Sequence, residues 1–580
     1  LLELTNPIFI KKVHPMKASD LFVKCLEEEG IEYIFGVPGE ENADFMISLE
    51  DSDQIRFILT RHEQGAAFMA EVYGRLTGKP AGCLGTLGPG ATNLITGVAD
   101  ANMDRAPMLV LTGQGSSERL HKESHQVMDV IGMFKPVTKW AQMVYHADNI
   151  AEIVRKAVRL ATTEKPGACL VELPEDIAKI QTDVKPIKPS QLRRPVAADK
   201  VVDQAWDAIK TAKRPIILAG NGCIRRRASD QLKLFAEKTG IFVLNTMMAK
   251  GALDMDDPRC GYTIGLGEKD VPAVAIERAD LVISLGYDMV EYHPKLWNPT
   301  GAHKIVHCDF IPSEVDENYR IDVEVVGDLA HTLWMLNERV ARDVTDGLDF
   351  DHSHGEVCRE KMTEEFEAYK DDDAVGKIKP QKALWDARQV LGPNDLLLSD
   401  VGAHKMWIAR YYQCHEPNTC LIPNGFCSMG FALPGAIAAS FVGQNERILG
   451  ICGDAGFLMN VQELATARIE KIAAKAIILN NQHLGMVMQW EDRFYAGNRG
   501  HTYLGDPDDM KQIYPDYVTM IKGFDVPVER VMYRRDLKAA LQRMLDSDKP
   551  YVLDVIVPYT EHVLPFIPAG KTVADMIWKV

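Results

Sequence analysis

The sequence predicts an α/β protein with three doubly wound parallel-sheet domains. The chain has 580 residues, more than one hydrophobic core usually serves, so we expect about three domains. Short apolar strands alternate with helical stretches in three blocks, which is the pattern of parallel α/β sheets. Apolar residues make up 46% and charged residues 25% of the chain, which indicates a globular protein rather than a fibrous or disordered one.

The first block, residues 16–183, is predicted to form an N-terminal domain. Its predicted strands are Tyr33–Gly36, Ile55–Leu59, Gly82–Thr86 and Met108–Leu111. Its predicted helices are Gln64–Thr77 and Ala91–Asn102. The Lys- and Pro-rich stretch Val184–Pro195 is interpreted as a linker. The first fifteen residues, before Met16, are either a remnant of an upstream segment or an ordinary disordered terminus.

The second and third blocks repeat the alternation. Residues 196–340 form a predicted central domain, with a helix around Asp230–Lys238 and strands at Pro215–Ala219, Phe242–Asn245, Leu281–Leu285 and Lys304–Cys308. Residues 341–373 are polar and strongly charged, which indicates a second linker or an exposed helical connection. Residues 375–558 form a predicted C-terminal domain, with strands at Leu396–Ser399, Ile448–Cys452, Ala476–Leu479 and Tyr551–Val555. Residues 559–580 remain as a tail.

Charge and cysteine content exclude several classes of partner. The formal net charge of −17 argues against nucleic acid or an anionic membrane surface, since both require basic faces, but it permits an anionic small-molecule substrate. No apolar run reaches the length of a membrane span. The eleven cysteines are dispersed without a CxxC pair, so we expect a reducing compartment and a cytoplasmic protein.

The most informative stretch joins two predicted strands of the third block. The first strand leads into Gly453-Asp454-Ala455-Gly456 and a helix predicted at Val461–Glu470, and the second ends in Asn480-Asn481. A right-handed crossover makes the two strands neighbours, so Asp454 and Asn481 lie at adjacent carboxyl ends, where open α/β sheets bind ligands. The alternative is a tight strand-to-helix turn with a solvent-facing aspartate.

The residue types in this stretch suit a metal-bound diphosphate. Carboxylate and amide oxygens are the hard ligands that Mg²⁺ prefers, and it often takes phosphate oxygens as well. The small residues Gly453, Ala455 and Gly456 let backbone N–H groups approach a diphosphate at a helix N-terminus.

This arrangement resembles the thiamine-diphosphate motif, a Gly-Asp-Gly followed further along by Asn-Asn. The resemblance implies that Asp454, Asn481 and the backbone carbonyl of His483 hold Mg²⁺ beside the diphosphate. Ala455 stands where the motif has a third glycine, a departure that the turn tolerates unless φ is positive there.

A second motif lies at a predicted strand-to-helix junction in the first block. There Arg61-His62-Glu63 matches the Arg-His-Glu of the acetolactate synthase family. The resemblance implies that Glu63 hydrogen-bonds the pyrimidine ring of thiamine diphosphate and promotes loss of its C2 proton. Taken alone, Glu63 also fits a capping acid at a helix start. In this superfamily the glutamate and the metal motif belong to different subunits, which implies a homodimer or homotetramer.

The resemblance extends over nearly the whole chain from Met16 and implies a pyrimidine-binding, a central Rossmann-like and a diphosphate-binding domain. It implies further cofactor contacts at Pro38, Gly39, Ala403, His404, Cys427, Met429, Gly485 and Met486. Met429 would wedge the cofactor bent and the Cys427 carbonyl would accept from the pyrimidine amine. In isolation Met429 also fits a core methionine, and His404 an exposed histidine at a helix start.

The substrate side rests on resemblance to the biosynthetic branch of the family, which serves branched-chain amino acid biosynthesis. The segment 485–492 matches that branch, with Met486, Val487 and Trp490 implied in the second-substrate pocket and Gln126 near the reacting centre. The implied substrates are pyruvate and a second 2-oxo acid, such as pyruvate again or 2-oxobutyrate. A core tryptophan and a surface-loop glutamine are the alternatives. The tail resembles one that closes the site against water, and a regulatory subunit is a further partner that the family allows.

Two departures separate this chain from the flavin-containing members. Residues 285–292 resemble catabolic, flavin-free acetolactate synthases, although Ala219-Gly220-Asn221-Gly222-Cys223 keeps a glycine-rich turn. We therefore favour the absence of FAD and leave it open. Glu40 follows Pro38-Gly39 where biosynthetic enzymes carry glycine.

Three competing functions remain at this stage. Leu120-His121-Lys122-Glu123 resembles glyoxylate carboligases, but these lack the activating glutamate that Glu63 supplies here. A simple 2-oxo acid decarboxylase usually places histidines where the product carbon is protonated. A non-catalytic paralogue would need none of Glu63, Asp454 and Asn481.

Overall fold

The structure is a computed structural model that describes residues 15–190, 193–225, 227–265, 270–345, 347–370, 376–564 and 577. Residues 1–14 of the leader and most of the predicted tail therefore lie outside the described residues. Three six-stranded parallel sheets organise the chain, which confirms the predicted fold class. Among the described residues, no helix has both the length and the apolar character needed to cross a membrane.

The first sheet is parallel throughout. Its strands, in spatial order, are Arg56–Leu59, Tyr33–Gly36, Ala81–Gly85, Met108–Gln114, Ala168–Pro174 and Trp140–Met143. The helices around it are Ala18–Glu28, Ala43–Glu50, Glu63–Thr77, Pro89–Met103, Val130–Phe134, Ile150–Thr162 and Glu175–Ala178. A short antiparallel pair, Met16–Lys17 with Gln181–Thr182, joins the two ends of this block.

The second sheet lies in the centre of the chain. Its strands, in spatial order, are Cys260–Thr263, Val243–Asn245, Pro215–Ala219, Leu281–Leu285, Lys304–Asp309 and Val323–Val326. Its helices are Asp199–Thr211, Asn221–Arg225, Ser229–Thr239, Val271–Arg278, Pro294–Trp297 and Leu329–Asp343. The charged stretch after it contains the helix Ser353–Glu367, so the helical alternative predicted for residues 341–373 is the one observed.

The third sheet holds the segments that carry the metal motif. Its strands, in spatial order, are Cys420–Leu421, Leu396–Ser399, Ile448–Gly453, Lys475–Asn480, Tyr551–Ile556 and Val528–Val531. Its helices are Pro380–Val390, Ala403–Tyr411, Ala432–Val442, Asp454–Met459, Glu463–Ile469, Gly485–Phe494, Tyr517–Lys522 and Arg534–Asp546. Short 3-10 turns elsewhere cover Glu40–Asn42, Ser117–Arg119, Lys135–Val137, Ala147–Asn149 and Met247–Ala249.

The first and third sheets share one core. Helix Glu63–Thr77 packs on helix Ala432–Val442, and the rings of Phe68 and Phe431 meet edge to face with centroids 5.8 Å apart. This packing places the helix that begins with Glu63 against the sheet that carries Asp454.

The helix predicted at Val461–Glu470 is observed as Glu463–Ile469, within two residues of its predicted bounds. A further helix, Asp454–Met459, was not predicted and starts directly at the motif. Residues 460–462 separate the two helices, and the side-chain amide of Asn460 donates to the Gly430 carbonyl at 2.8 Å.

Candidate active site

Asp454 and Asn481 lie at adjacent carboxyl ends of the third sheet. The strands Ile448–Gly453 and Lys475–Asn480 are parallel neighbours, with Gly453 opposite Leu479. Asp454 begins the helix after the first strand and Asn481 follows the second. Both line one cavity, as the crossover argument predicted.

Asp454 has one buried carboxylate oxygen without a hydrogen-bond partner among the described residues. Its side chain is 3% exposed, and Oδ1 accepts from the backbone N–H of Ala455 at 2.9 Å. Oδ2 is buried and has no hydrogen-bond partner among the described residues. Burial raises the pKa of Asp454 to about 7, because a lone buried carboxylate is costly. A divalent cation on Oδ2 would remove that cost, so the residues present fit a metal.

The loop after Asn481 is tightly held. The backbone N–H of His483 donates to Asn481 Oδ1 at 2.9 Å, and Nδ1 of its ring lies 2.8 Å from the Asn481 carbonyl. The His483 ring stacks on Tyr559, with centroids 4.6 Å apart. Burial lowers the pKa of His483, so its ring is neutral. Nδ1 of the ring is engaged with the Asn481 carbonyl, and the backbone carbonyl of His483 is the group that the sequence resemblance implies as a metal ligand.

A neutral histidine forms another wall of the cavity. His404 lies in the first turn of helix Ala403–Tyr411, and burial lowers its pKa to about 4. Its Nε2 is buried without a hydrogen-bond partner in the described part of the chain. A Cβ at Gly402 or Gly453 would lie 2.9 or 3.2 Å from His404 Cε1, so the two glycines make room for this ring. A neutral imidazole N–H is a suitable donor to a diphosphate oxygen.

The remaining cavity wall is made of small and apolar groups. A Cβ at Gly456 would lie 2.8 Å from Asp400 Oδ1, and one at Gly485 would lie 2.8 Å from Asn481 Nδ2. Ala455 lies in a helix and its φ is not positive, so the departure from a third glycine costs no strain. Ala403, Met429, Met486 and Val487 complete the predicted residues that line the cavity.

Met429 is held in place by Asp400. This fully buried carboxylate accepts from the backbone N–H groups of Gly430 at 2.9 Å and Ala432 at 3.2 Å. Cys427, two residues before Met429, has a φ of +62° and does not line the cavity. Asp400 was not predicted as a site residue, although its position directly after a buried strand is a signal for such a role.

Glu63 is the first residue of its helix and is 8% exposed. The amide of Asn93 donates to Glu63 Oε2 at 3.0 Å. A Cβ at Gly90 would lie 3.3 Å from Glu63 Oε1, so the glycine loop at residues 88–90 passes close to the carboxylate.

Pro38, Gly39 and Gln126 gather near the same glycine loop. A Cβ at Gly39 would lie 2.5 Å from the Thr86 side chain, and one at Gly88 would lie 2.9 Å from the Gln126 Cβ. Gln126 has a φ of +59° and an exposed side chain. Glu40, the departure noted beside Gly39, is exposed and begins a 3-10 turn.

One chain thus presents two separate groups of predicted site residues. The metal-side group lines one cavity, whereas Pro38, Gly39, Glu63, Gln126, Cys427 and Trp490 do not line it. The first four of these belong to the first sheet and its loops.

The comparisons decide the family. Residues 16–133, 202–336 and 400–555 match, in turn, the N-terminal TPP binding domain, the central domain and the C-terminal TPP binding domain of thiamine pyrophosphate enzymes. Acetolactate synthase of Arabidopsis thaliana is 37% identical over 577 residues, covering 97% of this chain and 84% of the relative. The chain belongs to the acetolactate synthase family.

Acetolactate synthase 1 of Nicotiana tabacum is 37% identical, over 97% of this chain and 85% of the relative. Acetolactate synthase 1 of Zea mays is 36% identical, over 97% of this chain and 89% of the relative. All three relatives are described as chloroplastic. Membership makes this chain a thiamine-diphosphate-dependent enzyme.

Trp490 of this family member lies beside the cavity rather than in it. Met486, which lines the cavity, precedes Trp490 by one helical turn on the same helix face. Trp490 is 51% exposed and stacks on Phe494, with ring centroids 4.6 Å apart. A half-exposed stacked tryptophan is not a core residue, which removes the alternative that the sequence left open.

The start of the tail packs on the Trp490 helix. His562 Nε2 lies 3.4 Å from Asp492 Oδ2, and Arg493 donates to the Val563 carbonyl at 3.1 Å. Tyr411 donates to the Leu564 carbonyl at 3.3 Å. The predicted lid after Leu564 falls almost entirely outside the described residues.

Glu463 is a contact residue that sequence reasoning missed. Its buried carboxylate accepts from the backbone N–H groups of Arg61 and His62, each at 3.0 Å. A Cβ at Gly65 would lie 2.7 Å from its Oε1. Burial raises the pKa of Glu463 to about 7. A lone sequence carries no signal for this contact, because the partners are backbone groups some 400 residues away in the chain.

Proposed function

We propose that the protein decarboxylates pyruvate and joins the two-carbon fragment to a second 2-oxo acid. With pyruvate as acceptor, two pyruvates and one proton give 2-acetolactate and CO2, and with 2-oxobutyrate the product is 2-aceto-2-hydroxybutyrate. The observation that carries the proposal is the unpartnered buried oxygen of Asp454 beside Asn481, in the domain that matches the C-terminal TPP binding domain of thiamine pyrophosphate enzymes. The names of the relatives support the same product.

Mg²⁺ and the diphosphate of the cofactor are assigned to the metal-side group. Asp454, Asn481 and the His483 carbonyl would hold Mg²⁺, an all-oxygen set suited to that ion. His404 and the backbone at Gly453, Ala455 and Gly456 face the same cavity and would bind the diphosphate. When bound, thiamine diphosphate supplies a carbon nucleophile and accepts the electron pair released with CO2.

We propose that a complete site combines the metal-side group of one subunit with the Glu63 group of its partner. The separation of the two groups within one chain supports this arrangement. Glu63 would hydrogen-bond the pyrimidine ring and pass a proton there, while Asn93 keeps its carboxylate in place. A homodimer is the smallest assembly that provides such sites. A homotetramer, or a complex with a regulatory subunit, would be a larger assembly. The molecular mass of the purified protein in solution would distinguish these assemblies.

The substrate pocket is assigned to Met486, Val487 and Trp490, with Gln126 near the reacting centre. The contacts to the pyrimidine ring are assigned to the Cys427 carbonyl and to Pro38 and Gly39. Val487 and Trp490 are half exposed in a single chain and project from the helix whose Met486 lines the cavity. The segment 561–564 covers this helix and would help exclude water, so that the acceptor rather than a proton takes the fragment.

We propose that no flavin occupies the glycine turn of the central sheet, because the residues do not fit one. The backbone N–H of Asn221 donates to both carboxylate oxygens of Glu291, at 3.0 and 3.1 Å, where a flavin phosphate would otherwise accept. A Cβ at Gly220 would lie 2.4 Å from the Tyr287 backbone, so this glycine serves internal packing. Glu291 is buried, with 6% exposure.

A reducing compartment such as the cytoplasm is proposed from the cysteines. All eleven are unpaired thiols, and ten are buried.

The test uses purified protein with thiamine diphosphate, Mg²⁺ and pyruvate, alone and with 2-oxobutyrate or glyoxylate. We expect 2-acetolactate, a mixed product with 2-oxobutyrate, and no flavin absorbance in the visible spectrum. Acetaldehyde as the sole product would overturn the proposal, and so would turnover that requires added glyoxylate.

A further inference from the structure

Three buried carboxyl groups form a cluster outside the cavity. Glu71, Asp100 and Asp104 are fully buried, and one oxygen of each lies within 4.8 Å of the others. They come from helix Glu63–Thr77 and from the end of helix Pro89–Met103. Arg75 lies 3.0 Å from Asp104 and 3.8 Å from Glu71, so one guanidinium pairs with two of the three carboxyl groups. A cluster this costly to bury calls for a function.

Two of these carboxyl groups hold the backbone of segment 424–428. Asp104 accepts from the N–H groups of Asn424 at 3.2 Å and Gly425 at 2.6 Å, and Asp100 accepts from the N–H of Ser428 at 3.1 Å. The contact is close, because a Cβ at Gly425 would lie 2.8 Å from the Met103 carbonyl. The two aspartates thus hold the backbone of the segment at both of its ends.

This segment leads directly into the groups assigned to the pyrimidine ring. Cys427 lies inside it, with its left-handed φ of +62°, and Met429 follows it and lines the cavity. Beyond Met429, the N–H of Gly430 is held by Asp400 at 2.9 Å. The backbone that carries the Cys427 carbonyl and the Met429 side chain is therefore hydrogen-bonded to carboxylates both before and after these two residues.

We propose that Asp100 and Asp104 are positioning residues that set the Cys427 carbonyl and Met429 for the pyrimidine half of the cofactor. The inference rests on the proposed function for the identity of the cofactor. Neither aspartate lines the cavity, so both act through the backbone of segment 424–428.

The charges of the cluster are consistent with this role. Arg75 pairs with Asp104 and also donates to the Ile422 carbonyl at 3.2 Å, just before the segment. Lys405 is the other cation near Asp104. Burial and the neighbouring carboxyl raise the pKa of Asp100 to about 8, and burial raises that of Glu71 as well. Burial raises the pKa of Asp104 too, but Arg75 lies 3.0 Å from this carboxyl group and favours its charged form.

The test compares variants by cofactor affinity and by activation of bound cofactor. We expect Asp104→Asn to weaken thiamine-diphosphate binding by roughly tenfold, because a charge-assisted acceptor is lost. The rate of C2 proton exchange on bound cofactor should fall too, while the KM for pyruvate at saturating cofactor changes little. Asp100→Asn keeps an acceptor oxygen for the Ser428 N–H and is uncharged, as a protonated Asp100 is, so this variant should resemble the parent. Asp100→Ala removes the acceptor and should resemble Asp104→Asn.

Asp257→Asn is the matched control. Asp257 is a buried aspartate paired with Arg259 within the central block, and it is expected to leave both readouts unchanged. If Asp104→Asn does not fold, Gly425→Ala displaces the segment from the other side and should give the same two losses. Parent-like cofactor affinity and exchange in folded Asp104→Asn and Gly425→Ala would overturn the inference. Cofactor binding by the parent without 2-acetolactate would contradict the proposed function alone.

Discussion

The Glu463 carboxylate accepts the backbone N–H of His62 at 3.0 Å. His62 caps the helix that Glu63 begins, and Glu463 lies in the helix that follows the metal motif. Glu63, the proposed activating glutamate, is therefore anchored to the sheet that carries Asp454 of the same chain. In the proposed dimer these two residues serve different active sites, so Glu463 physically joins one site to the other.

Replacing Glu463 by glutamine should slow turnover without removing the cofactor. Arg61 and His62 both donate to Oε1 at 3.0 Å, and Arg61 also reaches Oε2 at 3.3 Å. The nitrogen that replaces one of these oxygens in glutamine cannot accept, so part of this contact is lost, at a cost of about 1 kcal/mol. We expect kcat to fall roughly fivefold to tenfold. Glu470→Gln, in an exposed pair with Arg56 just after the same helix, is the control. Unchanged kcat in Glu463→Gln would contradict the anchoring role.

Replacing Glu63 by glutamine should abolish most activation of the cofactor. A positioned proton-transfer group contributes about 10²–10⁴-fold to a rate, and glutamine cannot exchange that proton. Cofactor binding should remain, because the metal-side group is intact. The measurement is the rate of C2 proton exchange on bound thiamine diphosphate, and equal rates in variant and parent would rule out the role.

Replacing Asp454 by alanine should weaken cofactor binding and remove its dependence on Mg²⁺. The variant loses the one carboxylate of the proposed ligand set, with its free oxygen Oδ2. Titration of thiamine diphosphate with and without Mg²⁺ measures the effect, with Asp525→Asn, an exposed pair with Arg468, as control. A parent-like Mg²⁺ dependence would show that the metal lies elsewhere.

Stability should fall as pH rises, in part because of Glu71 and Asp100. Both pKa values are raised in the folded protein, that of Asp100 to about 8, so the folded state holds protons that the unfolded state releases above about pH 4. Their contribution is greatest below that pH and is lost as pH rises through about 8. Thermal unfolding of Glu71→Gln at pH 6 and pH 9 should show a smaller alkaline loss than the parent. An identical loss would contradict the shared proton.

Much of the site follows from the sequence because its parts are local. Gly453-Asp454 and Asn480-Asn481 end buried strands, and a crossover connection leaves them only one adjacent arrangement. The strands Tyr33–Gly36, Pro215–Ala219, Leu281–Leu285 and Leu396–Ser399 match their predicted bounds for a similar reason, since each is a short apolar run between turn residues.

The parts that escaped prediction depend on tertiary contacts. The edge strands Trp140–Met143 and Val528–Val531 carry polar residues and show no strong apolar run. Glu463, Asp100 and Asp104 bind backbone N–H groups of distant segments, which no side-chain pattern encodes. Helix Asp454–Met459 was also missed, because its six residues are too few for a helical periodicity to show in the sequence.

The stoichiometry of CO2 release against pyruvate consumption tests the central claim most directly. With thiamine diphosphate and Mg²⁺ present, carboligation consumes two pyruvates for each CO2 and yields one 2-acetolactate. We predict that ratio, and no turnover when either cofactor is omitted. One CO2 for each pyruvate, with acetaldehyde as the product, would contradict the account.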